Sequence, residues 1–169
     1  MERETEKNLS RVQGIEKIKE ITEHQNICMM ATDLSTTPLS VIPMTTQEVD
    51  DEGNLWFFTG KDTEHYKNIS KDHRVQLMYV NKSDREYLSV YGIATLVTDD
   101  NKVEELWNPV LKTWFDSKND PNLSLIKVTA EDAYYWDTKD NKLVTLIKIA
   151  GAGITGTKKE IGVKGEISM

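Results

Sequence analysis

From Tyr87 to Asp137 the chain reads YLSVYGIATLVTDD, then NKVEELWNPVLKTWF, then DPNLSLIKVTAEDAYYWD. The outer pieces are rich in β-branched and aromatic residues, which suit a pleated, half-buried surface. Between them Val103, Leu106, Trp107, Val110, Leu111 and Trp114 recur at i, i+3, i+4 and i+7. That spacing predicts an amphipathic helix from about Asp99 to Phe115. Pro109 falls inside it and is expected to kink or restart it, because proline lacks the N–H that an interior helical residue donates. The order β segment, short helix, β segment constrains the fold more than any other stretch.

The rest of the chain is consistent with that constraint. Leu9, Val12, Ile15, Ile18 and Ile21 recur every third position and predict a helix from about Asn8 to His24, with a slanted apolar stripe because three falls short of 3.6. Short β runs follow at Asn26–Thr32, Leu39–Met44, Leu55–Thr59, Val75–Val80, Tyr87–Val97, Ser124–Thr129, Ala133–Trp136 and Leu143–Ile149. Asp50-Asp51-Glu52-Gly53-Asn54 reads as a hairpin turn, and Lys61–Ser70 as a short helix capped by Asp62 or Thr63. At least six strands with short turns and few helices predict a mainly β fold, a closed or nearly closed antiparallel barrel with flanking helices. A length of 169 residues suits one domain, taken as 1–150, followed by a glycine-rich tail, 151–169.

The net charge of −7 argues against non-specific binding to nucleic acid or an anionic membrane. Specific binding of a phosphorylated small molecule needs only local positive charge. The charged start, MERETEKNLSR, carries no apolar signal region, and no apolar run approaches the ~20 residues of a membrane span. The expected location is the cytoplasm. Cys28, the sole cysteine, lies in an apolar run and is expected to be a buried, inert thiol.

Gly151-Ala152-Gly153-Ile154-Thr155-Gly156 matches G-x-G-x-x-G, yet only 13 residues follow it, too few for the helix, strand and acidic residue of a dinucleotide fold. We read it as tail or turn. His24, His65 and His73 show no metal-like spacing, so no metal is expected, and nucleophile-elbow, phosphate-loop and H-E-x-x-H motifs are missing. The run Trp56-Phe57-Phe58-Thr59-Gly60-Lys61-Asp62-Thr63-Glu64-His65-Tyr66 is more informative. An aromatic strand ends in Thr-Gly and enters a helix N-terminus, where free N–H groups and the dipole favour an anion. Lys61 and His65 add positive charge there, and Thr59 and Thr63 add hydroxyls. The same run also serves as a plain strand-turn-helix connection.

Gly92-Ile93-Ala94, Asp99-Asp100, Leu106-Trp107, Trp114-Phe115, Asp120-Pro121 and Tyr135-Trp136 stand in the order seen in the pyridoxamine 5′-phosphate oxidase-like, FMN-binding split-barrel family. The chain resembles its general stress protein branch over roughly Ile15 to Leu146. The resemblance implies a six-stranded antiparallel split β-barrel, a homodimer with FMN at the interface, and flavin-dependent oxidoreductase chemistry on an unknown small molecule. A non-catalytic flavin- or ligand-binding stress protein is the other reading. Carried over by position, Ile42, Pro43 and Met44 lie against the flavin ring. Phe58 and Thr59 touch the flavin and ribityl chain largely through backbone groups, and Gly60, Lys61, Thr63 and His65 lie at the phosphate end. Trp107 is placed in the core. Trp114 is open between the core and a cover for the partner's cofactor. Of His65, Tyr66 and Tyr79 none is assigned as catalytic. Two departures stand out: Ile42 replaces the family's usual arginine, and Glu64-His65 replaces a basic pair. Each missing charge-assisted contact to phosphate corresponds to about 1.5–3 kcal/mol.

Overall fold

The computed structural model describes residues 10–147. Their elements are α1 (Arg11–His24), β1 (Ile27–Thr32), β2 (Ser40–Thr45), β3 (Glu48–Val49), β4 (Asn54–Gly60), α2 (Glu64–Lys71), β5 (Arg74–Asn81), β6 (Glu86–Val97), α3 (Asp100–Leu106), a 3-10 turn (Pro109–Thr113), β7 (Leu123–Asp137) and β8 (Lys142–Ile147). One antiparallel sheet runs β2-β1-β5-β6-β7-β4-β3, with β8 paired to β7. No helix among the described residues is long and apolar enough to cross a membrane.

The sheet curls because its two ends are consecutive in sequence. β2 and β3 lie at opposite edges, and only Thr46 and Gln47 separate them. The Thr46 N–H donates to the Asn26 carbonyl at 2.7 Å, at the foot of β1. The Gln47 N–H donates to the Trp56 carbonyl on β4 at 2.8 Å. The two edges are thus drawn together at one corner. Closing a sheet in this way removes unpaired strand edges.

Two cores result. Inside the curl lie Met30, Phe57, Leu77 and Val90, plugged by Ile18 and Ile21 of α1. Ser10 caps α1 through a capping box with Gln13, and Val12 is exposed where the three-residue spacing drifts off the buried face. On the outer side of β4 and β7, Trp56 and Phe58 pack against Val103, Leu111 and Phe115. Every residue of β4 is therefore buried, which explains its unbroken LWFF run.

Several sequence expectations need correction. The sheet has eight strands where the resemblance implied a six-stranded barrel; β3, too short to show a pattern, was not among the β runs read from the sequence. Ser124–Thr129 and Ala133–Trp136 are one strand, β7, with register shifts opposite Tyr91/Gly92 and at Ala133/Tyr134. The Asp99–Phe115 helix is two pieces: α3 ends at Leu106, and Asn108 is extended (φ −139°, ψ 157°) before Pro109 starts the 3-10 turn. Proline pushes its preceding residue out of the helical region. α2 begins at Glu64 and its cap is Thr63, not Asp62. Cys28 is buried and its thiol is pushed up to about 12 by burial, as an inert cysteine requires. The Gly151–Gly156 run and the tail lie outside the described residues.

Candidate functional site

The β4–α2 connection folds tightly on itself. The Thr63 hydroxyl donates to the Gly60 carbonyl at 2.8 Å and accepts from the Tyr66 N–H at 3.2 Å, so it caps the helix and closes the turn together. The loop before β7 holds the same turn from outside. The Asn122 carbonyl accepts from the Lys61 N–H at 2.8 Å, and the Asn122 amide bridges the Asp62 N–H at 3.1 Å and the Asp62 carboxylate at 3.0 Å. A Cβ at Gly60 would lie 2.8 Å from Asp62 Oδ1 and 2.9 Å from Asn122 Nδ2, so it would push apart the Asn122–Asp62 side-chain bond that stitches the turn. Sequence reasoning missed Asn122; the Asp120-Pro121 pair before it was the available signal.

This stitching changes the expected anion cradle. The N–H groups of Lys61, Asp62 and Thr63 are already hydrogen-bonded within the protein. At the helix start, the N–H groups of Glu64 and His65 have no hydrogen bond among the described residues. The anion-binding capacity therefore sits at the first turn of α2 and not in the loop before it.

His65 and the two threonines converge. His65 Nε2 stands 2.7 Å from the Thr59 hydroxyl and 3.2 Å from that of Thr63, and the hydroxyls are 3.4 Å apart. Thr59 is buried and His65 half-buried. Burial lowers the His65 pKa from its ordinary value, which favours the uncharged ring. Burial thus works against the positive charge expected at His65, and the ring bonds hydroxyls. Lys61 is exposed and remains the cation of the turn.

β4 keeps an open edge beside this cluster. Its even-numbered residues direct backbone groups away from β7, as the Asn54 and Trp56 carbonyls show by accepting from Asp50 and Gln47. Alternate residues of an antiparallel strand point the same way. β3 reaches only Trp56, so the N–H and C=O of Phe58 have no partner there among the described residues. The Phe58 ring is fixed on the other core by Trp107, edge-on at 6.3 Å, and Phe115 at 6.4 Å, which leaves only its backbone to meet a ligand. Trp107 is thus a core residue, as expected.

The remaining residues are spread out. Ile42 and Met44 pack partly against the inner core, while Pro43 is exposed. Trp114 follows the 3-10 turn and is 67% exposed, so it is not a core residue of the single chain. The structure joins Thr59, Gly60, Thr63 and His65, with Lys61 in the same turn; it does not join Pro43 or Trp114 to them. Tyr79 is buried, bonded at 2.5 Å to the Thr46 hydroxyl, and burial raises its pKa well above the usual value. A separate open cleft of about 490 Å³ lies over Trp56. Its charges are largely spent on one another: Lys102 contacts Glu48 at 2.5 Å and Glu105 at 3.1 Å, and Trp56 donates to Asp50 at 2.9 Å.

A curled antiparallel sheet, joined at the Thr46-Gln47 corner and open beside Phe58, defines a split barrel. The chain belongs to the pyridoxamine 5′-phosphate oxidase like family, whose model matches residues 13–160. It is similar to the general stress FMN/FAD binding protein of Xanthomonas citri, at 30% identity and TM-score 0.64, over 73% of this chain and 88% of that one. General stress protein 26 of Bacillus anthracis str. Sterne superposes with TM-score 0.64 at 26% identity, over 72% of this chain and 92% of that one. Protein bli-3 of Neurospora crassa is 27% identical over 124 residues, 68% of this chain but 59% of its own length.

Proposed function

We propose that the chain is a flavin-binding stress protein that works as a homodimer and uses FMN for oxidoreductase chemistry on a small molecule. The observation that carries this reading is the unpartnered Phe58 backbone edge beside the Thr59–Thr63–His65 cluster. A flat ring with polar edges suits a free strand edge. A phosphate suits the first turn of α2, with the Glu64 and His65 N–H groups and the Lys61 ammonium. The Xanthomonas citri relative, an FMN/FAD binding protein by name, supports the choice of a flavin.

The residues present fit such a group. Phe58 would orient the ring through its backbone, Thr59 and Thr63 would bind the ribityl chain, and β2 from Ile42 to Met44 would border the ring. When bound, the flavin supplies two-electron redox chemistry that no side chain here can perform. The protein binds, orients and excludes water. Tyr79 is too deeply held to exchange a proton with substrate, and neutral His65 is occupied with two hydroxyls.

Assembly has its own support. Ile27 and Met29 on β1, Val41 on β2, and Met78 and Val80 on β5 are large apolar side chains between 37% and 58% exposed. Met29 lies opposite both Pro43 and Met78, so these side chains form one apolar face. Such a patch marks an association surface.

A second reading, a non-catalytic flavin-binding stress protein, is favoured by Ile42 and by the uncharged His65, which weaken the grip on phosphate. One experiment separates the two. The protein is incubated with FMN, desalted, and its visible spectrum recorded before and after NAD(P)H. Retained flavin that is reduced and then reoxidised by air supports the oxidoreductase; retained flavin that no donor reduces supports the binding protein. Failure to retain FMN in the parent refutes both. Thr59→Val is expected to lose most of the retained flavin.

A further inference from the structure

The end of α1 meets the β5–β6 turn at a cluster that the sequence spacing of the histidines does not reveal. His24 closes α1, Asp84 lies in the turn, and Glu86 opens β6. His24 Nδ1 stands 3.6 Å from Asp84 Oδ2 and 3.5 Å from Glu86 Oε1. One ligand atom from each lies within 4.8 Å of the others. Two ligands at about 2.0–2.1 Å on a tetrahedral ion stand about 3.3–3.4 Å apart, close to both His24 distances, and drawing the two carboxylates together completes three bonds.

Two further observations concern how this cluster is held and charged. Asp84 Oδ2 accepts from Asn81 Nδ2 at 2.9 Å, and Asn81 is only 5% exposed, so a buried amide orients that carboxylate. Glu86 Oε2 is buried and has no hydrogen-bond partner among the described residues. A carboxylate oxygen left this way is unfavourable unless a cation answers it. Among the described residues His24 is the sole basic partner of either carboxylate. An imidazole that coordinates is neutral, so the site carries two negative charges against a divalent ion.

We propose that His24, Asp84 and Glu86 bind one divalent transition-metal ion of the zinc class. Imidazole with carboxylates selects such an ion over magnesium or calcium, which take oxygen ligands. Three protein ligands leave a fourth position for water. The ion ties the last turn of α1, whose Ile18 and Ile21 plug the barrel, to the β5–β6 hairpin. It lies on elements other than β4 and α2 and is independent of flavin.

The test uses the tag-free full chain, stripped with EDTA, desalted and titrated with Zn²⁺ by calorimetry. The expected result is one ion per chain at micromolar affinity, a higher Tm with zinc, and no competition from Mg²⁺. His24→Ala and Asp84→Asn should each weaken zinc binding by more than about 100-fold and abolish the Tm shift. The His24 and Asp84 side chains are 46% and 51% exposed, so both variants should fold, which circular dichroism checks. His73→Gln should bind as the parent does. No stoichiometric zinc, or undiminished binding in His24→Ala, overturns the proposal and leaves a surface ion-pair cluster only.

Discussion

At the residue scale, His65 illustrates how burial reverses a sequence expectation. A histidine beside a helix N-terminus reads as positive charge for a phosphate. Packed against Thr59 and Thr63, it loses water, and burial lowers its pKa. The sign of the pH effect follows. The folded protein binds the proton less well than the unfolded chain, whose histidine titrates near ~6.5. The stability that neutral His65 contributes is complete above that pH and is lost as pH falls through the lower folded value. Urea midpoints of the parent should therefore fall between pH 7.5 and pH 5 more steeply than those of His65→Gln. Equal slopes would mean that the ring is not desolvated. Thr59, Thr63 and His65 were legible in the sequence as a group. Their bonding was not, because side-chain hydrogen bonds depend on where the turn places them, and Asn122, 60 residues away, sets that placement.

At the element scale, α1 carries a constraint that helix propensity would misjudge. Gly→Ala inside a helix usually stabilises by about 1 kcal/mol. At Gly14 the added Cβ would lie 2.2 Å from the Leu146 carbonyl oxygen of β8, a backbone atom that cannot swing away. Gly14→Ala is therefore expected to destabilise by about 1–3 kcal/mol and lower the Tm by several degrees in calorimetry. An unchanged or raised Tm would show that α1 does not approach β8 this closely. The periodicities of α1 and of the Val103–Leu106 segment were readable because a repeating buried face needs a repeating side-chain pattern. β3 was not readable: two residues form no pattern, and they become a strand only because Trp56 and Leu55 lie opposite them. Pro109 marked a break in the sequence; that the break is an extended Asn108 and a fresh 3-10 turn depended on Leu111 and Phe115 reaching Phe58 and its neighbours.

At the scale of the whole molecule, the exposed apolar face of β2, β1 and β5 is where the proposed homodimer is tested. Met29→Glu with Met78→Glu places two charges on opposed positions of that face, both exposed in the single chain. The double variant should stay folded and sediment at half the parent mass, with weaker retention of FMN. A parent that itself sediments as a monomer would refute the homodimer. Most of the succession of strands along the chain, α1 and the Thr-Gly turn before α2 were determined by the sequence alone, because local propensity, turn chemistry and hydrophobic period are written residue by residue. The family resemblance rested on the same ordered wording. Tertiary structure alone decided which edges meet at Thr46-Gln47, why Phe58 keeps a free backbone edge, how His65 loses its charge, and that His24 faces Asp84 and Glu86. Each of these depends on groups far apart in sequence, brought together only when the sheet curls and its apolar faces leave water.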